Sequence, residues 1–124
     1  MKLQLNDREP IYLQIIRDFK RQVVLGTLQP GDSIPSRREL AMQLKVNANT
    51  VQRAYKEMEE EGMIKTVRNF PSKITEDNDL LLQLRHGLIT EAVSEFVESM
   101  KAISVSKDEI IKIVEESYIE EGER

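Results

Sequence analysis

The chain has 124 residues, 18 basic and 22 acidic, for a formal net charge of −4, and no cysteine. That length holds one small domain and a modest extension, not a second full-size domain, and the missing cysteines rule out disulfides and thiolate metal sites. No apolar run approaches the roughly 20 residues of a membrane span, and MKLQLNDREP is not a signal peptide, so a soluble, cytoplasmic protein is expected.

The first predicted helix opens near Pro10, a residue suited to a first turn because its missing N–H is no loss there. Tyr12, Ile15, Ile16, Phe19 and Val23 form its apolar stripe, with Arg17, Lys20 and Arg21 outside it, and Gly26 ends it. Leu28 and Ile34 flank a Pro30-Gly31-Asp32 turn and are expected to include a short strand pairing with a hairpin further on. Tyr12, Phe19 and Tyr55 could suggest a surface for stacking bases, but their spacing marks them as core.

Two short helices follow, joined by a tight turn. Ser36 and Glu39 form a capping box, in which the hydroxyl accepts from the backbone three residues on and the carboxylate reaches back. Leu40, Ala41 and Leu44 give that helix its apolar face, Lys45-Val46 breaks the pattern, and Val46 plugs the space between the helices. Asn47 caps the second helix, whose inner face is Val51, Ala54, Tyr55 and Met58. Asn47, Ala48, Asn49, Thr50, Gln52 and Arg53 are left at its outer N-terminal end. In a helix-turn-helix that end meets base edges in the major groove. Asn and Gln can pair with adenine, Arg with guanine, and Thr with either base type. The same helix turns to Lys56, Glu57, Glu59, Glu60 and Glu61 further along, the character of a merely solvated face. The change in polarity favours DNA binding over an ordinary all-α pair of helices.

Gly62 suits a left-handed helix end. Met63–Val67 reads as a strand, Arg68–Ser72 as a loop, and Lys73–Thr75 as a returning strand. A helix-turn-helix with such a hairpin is a winged helix, and Arg68 and Lys73 are candidate phosphate contacts against the alternative of ordinary exposed loop charges. The candidate DNA-contacting set is Ser36, Arg37, Arg38, Asn47, Ala48, Asn49, Thr50, Gln52, Arg53, Arg68 and Lys73.

Thr75–Asn78 is polar and marks a boundary, giving a DNA-binding head over residues 1–75 and a helical tail over 76–124. From Asp79 to about Ile103, Leu81, Leu84, Leu88, Ala92, Phe96, Met100 and Ile103 repeat at helical spacing, flanked by Leu82, Ile89, Val93 and Val97. Ser106 and Glu109 form a second capping box, opening a last helix with Ile110, Ile113, Val114 and Tyr118 expected inward. The long strip, about 35 Å at 1.5 Å per residue, is wider than the last helix can cover. A large uncovered apolar face marks an interaction surface. A homodimer of helical hairpins is expected through those seven strip residues, the alternative being that the strip packs on the chain's own head. The fold class is therefore mainly α with a small β wing: a winged helix-turn-helix followed by a two-helix dimerisation hairpin.

Charge divides the same way. Residues 1–74 carry 13 basic and 9 acidic side chains, a net of +4, and residues 75–124 carry 5 and 13, a net of −8. Only the basic part is suited to approach phosphate.

The stretches PIYLQI, GTLQPGDSIPSRRELA and VNANTVQRAYKEMEEEGMI together resemble the DNA-binding domain of the GntR transcriptional regulators, from about Pro10 to Ile64. The NxNTVxRAYxEME form from Asn47 to Glu59 is most similar to the small YtrA-type branch. The resemblance implies that Arg38 contacts DNA and that Asn47, Asn49, Thr50 and Arg53 line the recognition surface. Many relatives carry Arg where this chain has Ala48 and Gln52, and a glycine-containing RRGKGTFV wing where it has Arg68–Ser72, with Asn69 able to take a positive φ in place of Gly. The resemblance further implies a short helical tail used for dimerisation, and ABC transporter genes as targets.

The expected partners are a double-stranded DNA operator and a second copy of the chain, with no membrane. Two-fold symmetry would match an inverted repeat, and the expected outcome is repression. A small-molecule effector between the tail hairpins is left open. No cofactor is expected: His86 lacks the companions a metal site needs, and Glu91, Glu95 and Glu98 read as a solvated face. With one histidine, no glycine-rich phosphate loop and no paired nucleophile and base, an enzyme is not expected. The competing reading is a winged helix that binds only protein, with DNA binding lost or weakened.

Overall fold

The computed structural model describes residues 3–122. Its elements are α1 (Ile11–Leu25), α2 (Arg37–Leu44), α3 (Ala48–Glu60), β1 (Ile64–Lys65), β2 (Lys73–Ile74), α4 (Asn78–Ala102) and α5 (Lys107–Gly122). The described residues form two compact units that divide between Leu88 and Ile89.

In the first unit, α1 and α2 both pack on α3. The buried core comes from Ile15, Ile16 and Phe19 of α1, Leu40 and Ala41 of α2, and Val51, Ala54, Tyr55 and Met58 of α3. Phe19 meets Tyr55 edge to face, ring centroids 5.9 Å apart, the arrangement that ring quadrupoles favour. Ile34, Met63, Ile64, Ile74 and Leu84 close the cluster. Each large aliphatic or aromatic side chain so buried contributes about 1.5–3 kcal/mol, so this cluster holds the head together.

The wing is an antiparallel pair with Ile64 opposite Ile74 and Lys65 opposite Lys73. The alternation puts both isoleucines into the core and both lysines outside. The segment after α1 joins this pair as expected, through a bridge between Ser33 and Lys73 and the bonds Ile34 N–H to Ser72 O and Ile74 N–H to Asp32 O, both 2.9 Å. The expected five-residue strand from Met63 is cut to two. Past Lys65 the backbone leaves the ladder: the Thr66 hydroxyl bonds Glu59 and Ser72, and Asn69 turns the tip with φ 71°.

The helix ends explain how each helix is terminated and the chain redirected. Three helices end in the same bonding pattern, in which the two residues past the last turn donate back to its carbonyls. After α3, Gly62 bonds Glu59 and Met63 bonds Met58, and the two buried methionines belong to one core cluster. After α2, Lys45 bonds Met42 and Val46 bonds Ala41, so the turn between α2 and α3 is built on a lysine at φ 57°. After α4, Ser104 at φ 60° bonds Lys101, and Val105 bonds Met100. Gly26, at φ 82°, ends α1 as expected. Pro10 is the cap before α1 rather than a first-turn residue, its carbonyl accepting from Leu13 and Gln14.

Gln14 departs from the apolar stripe. It is buried, and its amide closes a two-way pair with the Asn6 backbone (3.0 and 2.9 Å) and also donates to the Glu9 carbonyl (2.9 Å), which ties down the segment before α1.

The division between units falls inside α4, later than the polar Thr75–Asn78 stretch. Asp77 caps α4 by accepting from the Asp79 and Leu80 amides. Leu84, 9% exposed, then joins the head's core with Leu81 against it, so the first turns of α4 belong to the head. Among the strip residues Leu88 and Met100 are half-buried, and Ala92, Phe96 and Ile103 are exposed. In the second unit, α5 opens with Glu109 N–H donating to the Ser106 hydroxyl. The inward placement of Ile113, Val114 and Tyr118 does not hold in the single chain: all three are exposed, Tyr118 by 73%. A lone pair of helices has too little surface to enclose both of its apolar faces.

Candidate nucleic-acid interface

Two helix starts carry most of the candidate residues. At α2, Ser36 accepts from the Glu39 amide at 3.1 Å and Glu39 accepts from the Ser36 amide at 3.4 Å, completing the expected capping box. The Ser36 hydroxyl oxygen thus accepts within the helix cap and retains its O–H donor. Arg37 turns inward: its guanidinium donates to Glu59 at 2.8 Å and sits 5.6 Å from the Tyr55 ring centroid. Arg38, one residue on, is exposed. These chain neighbours thus divide into a brace and a surface cation.

Tyr55 anchors this corner. Its hydroxyl donates to the Pro35 carbonyl at 2.6 Å. Burial pushes its pKa well above the ordinary value, an effect that Arg37 partly offsets and Glu39 reinforces, so the phenol keeps the proton it donates.

At α3, the Asn47 side-chain oxygen accepts from the Asn49 amide at 2.7 Å, the expected cap. Ala48, Asn49, Gln52 and Arg53 are exposed and Thr50 is half-buried, while Val51, Ala54, Tyr55 and Met58 are buried beneath them. The apolar face fixes the helix's rotation and thereby presents the polar tip outward. Asn49, Thr50 and Arg53 share a shallow groove with Pro10, Ile11 and Tyr12 at the start of α1. In that groove the Arg53 guanidinium carbon lies 3.8 Å from the Tyr12 ring centroid, and its Nε is 3.8 Å from Glu57.

On the wing, Arg68 is exposed at the tip and Lys73 on the outer face of β2. The register adds Lys65 directly opposite Lys73, a cation that the strand alternation from Met63 could have identified. Val67 and Phe70, 67% exposed, line an apolar-sided groove with Gly31, Pro71, Lys65 and Lys73. Sequence reasoning also missed the second role of Tyr12, which packs against the core and carries Arg53 on its ring. No group of three or more His, Cys, Asp or Glu side chains that could hold a metal ion occurs among the described residues, and no helix among them is long and apolar enough to cross a membrane.

What this surface can do chemically is accept paired hydrogen bonds from, and donate them to, a planar partner, with cations alongside for phosphate. Residues 11–72 match the family model for bacterial regulatory proteins of the gntR family. The chain is 39% identical to the uncharacterised HTH-type transcriptional regulator YhcF of Bacillus subtilis, across 90% of this chain and 93% of that one. It is also 39% identical to the HTH-type transcriptional repressor YtrA of the same organism, across 77% and 75%. A solved GntR family transcriptional regulator from Listeria monocytogenes superposes with a TM-score of 0.83 at 38% identity, across 90% of this chain and 98% of that one.

Proposed function

The chain belongs to the gntR family of bacterial regulatory proteins, a family of non-enzymatic DNA-binding transcriptional regulators, and within it we propose a homodimeric repressor that binds an inverted-repeat operator. One observation carries this reading: the apolar face of α3 is buried while Ala48, Asn49, Gln52 and Arg53 are held outward at its capped start. Asn49 and Gln52 offer adenine-compatible amides and Arg53 a guanine-compatible fork. Arg38, Arg68, Lys73 and Lys65 are the proposed phosphate contacts.

The homodimer rests on the tail. Ile89, Val93 and Phe96 of α4, Ile103 in the turn after it, and Ile111, Ile113, Val114, Tyr118 and Ile119 of α5 are exposed in the single chain. Apolar side chains on that scale mark a surface that another protein covers. A second copy satisfies it by symmetry, each hairpin burying the other. The division of labour is a basic head that reads DNA and an acidic tail that pairs. Repression is the reading favoured by the likeness to the YtrA repressor, and the resemblance to the YtrA-type branch makes transporter genes the proposed targets.

Footprinting the full chain on the DNA upstream of its own gene tests this. Two protected arms related by symmetry, spaced by about one helical turn or a multiple of it, are expected. A single short protected patch contradicts the dimer, and no protection on any upstream fragment contradicts the operator reading.

A further inference from the structure

Arg53 stands at a branch between two neighbours. Glu57, one turn toward the end of α3, would draw its guanidinium down the helix and away from the recognition tip, while Tyr12 holds it across the groove toward α1. The geometry favours Tyr12. The Arg53–Glu57 approach is 3.8 Å with 62% of the Arg53 side chain exposed, an open pair of little energetic weight. A guanidinium carbon 3.8 Å from a ring centroid is in van der Waals contact with the ring's face, the placement in which the quadrupole attracts it most.

Stacking and hydrogen bonding use different parts of the guanidinium. The ring takes its face. The five N–H donors lie in its plane and point outward in a fixed fork. Tyr12 can therefore order Arg53 without consuming the donors that would recognise a partner. A long side chain ordered beforehand loses less rotamer freedom on binding. Tyr12 itself is fixed twice over, by its position in the first turn of α1 and by packing against the head's core. Thr50 and Asn49 line the same groove, so the ordered cation sits beside the tip that the proposed function assigns to base reading.

We propose that Tyr12 is a positioning residue for recognition: its ring pre-orders the Arg53 guanidinium for a pair of acceptor atoms on DNA. This rests on the reading of the α3 tip as the DNA-contacting surface. The acceptor pair is either the O6 and N7 edge of a guanine or two oxygens of a phosphate, which share the geometry the fork requires.

The test uses the full chain and two probes: a duplex selected by the wild-type protein from a random-sequence library, and a scrambled duplex of the same composition. Tyr12→Leu is expected to weaken binding to the selected duplex by about five-fold, the scale of a cation–π contact, while Tyr12→Phe, which keeps the ring, stays close to wild type. In an Arg53→Ala background Tyr12→Leu should add no further loss. A loss confined to the selected duplex assigns the guanine edge, and an equal loss on both duplexes assigns the phosphate. Equal losses for Tyr12→Phe and Tyr12→Leu, or full additivity with Arg53→Ala, overturn the proposal. An upfield ring-current shift of the Arg53 side-chain protons in the wild-type protein is expected independently of any variant, and its absence also overturns it. Wild-type protein that selects no duplex at all overturns the underlying reading of the tip instead.

Discussion

Arg37 reaches from the start of α2 to Glu59 on the last turn of α3, at 2.8 Å, while its neighbour Arg38 points away into solvent. Glu59 in turn accepts from Thr66, and Thr66 is bonded to Ser72 across the hairpin. One carboxylate thus links α2 and α3 to the wing, and the Arg37 guanidinium is engaged in holding it.

The two arginines should therefore separate on substitution. Arg37→Ala is expected to lower stability by about 1 kcal/mol, a modest value because the pair is partly solvent-screened and some of the loss is the packing of the stem on Tyr55. Arg38→Ala should change stability by less than about 0.5 kcal/mol, as surface substitutions do, and weaken DNA binding. Urea melts beside binding titrations check this. A larger loss of stability from Arg38→Ala than from Arg37→Ala would contradict the assignment.

The turn between α2 and α3 carries strain that a single substitution removes. Lys45 adopts φ 57°, a conformation disfavoured for a residue with a Cβ. Lys45→Gly should stabilise the protein by about 0.5–1 kcal/mol even though glycine also loosens the unfolded chain. A thermal melt displaced upward by a few degrees is the expected signal. A downward displacement would mean that the lysine stem supplies more contact energy than the backbone conformation costs.

These two sites also show where sequence reasoning reached and where it stopped. Ser36 with Glu39, Asn47 over its own helix, and Gly26 and Gly62 past their helices were all legible, because each is a bond or dihedral settled within a few residues. The buried faces of α1, α2 and α3 were legible for the same reason: helical spacing decides them. Lys45 was not, since nothing in its side chain announces a left-handed turn; the need arises from the angle at which α3 must leave α2. Arg37 with Glu59, 22 residues apart, and Tyr12 with Arg53 depend on how helices dock, which periodicity does not encode. Gln14 was hidden because a polar residue inside an apolar stripe reads as solvent-facing until its backbone partners at Asn6 and Glu9 are placed. The last helix differs for another reason: Ile113, Val114 and Tyr118 need a covering surface that one chain alone does not provide.

The tail makes a prediction of its own. If a second copy covers the exposed face, a charge placed there should be tolerated by the monomer's fold and not by the pair. Val93, 54% exposed, offers the cleanest site. Val93→Glu should leave the helical circular dichroism signal intact and convert a dimer to a monomer in sedimentation at micromolar concentration, because a desolvated carboxylate at an apolar contact costs several kcal/mol. An unchanged dimer would place the interface elsewhere, and a wild-type monomer would remove it.

The central claim is that the outward tip of α3 reads sequence. The direct measurement is the dissociation constant of the full chain for its selected duplex and for a scrambled one, across a range of salt, in wild type and in Asn49→Ala with Gln52→Ala. The wild type should prefer the selected duplex by at least about a thousand-fold, with both affinities falling steeply as salt rises. The double variant should lose most of that preference while keeping its salt-dependent affinity for scrambled DNA, since the phosphate contacts are untouched. Equal wild-type affinity for the two duplexes, or a preference that survives the double variant intact, would contradict it.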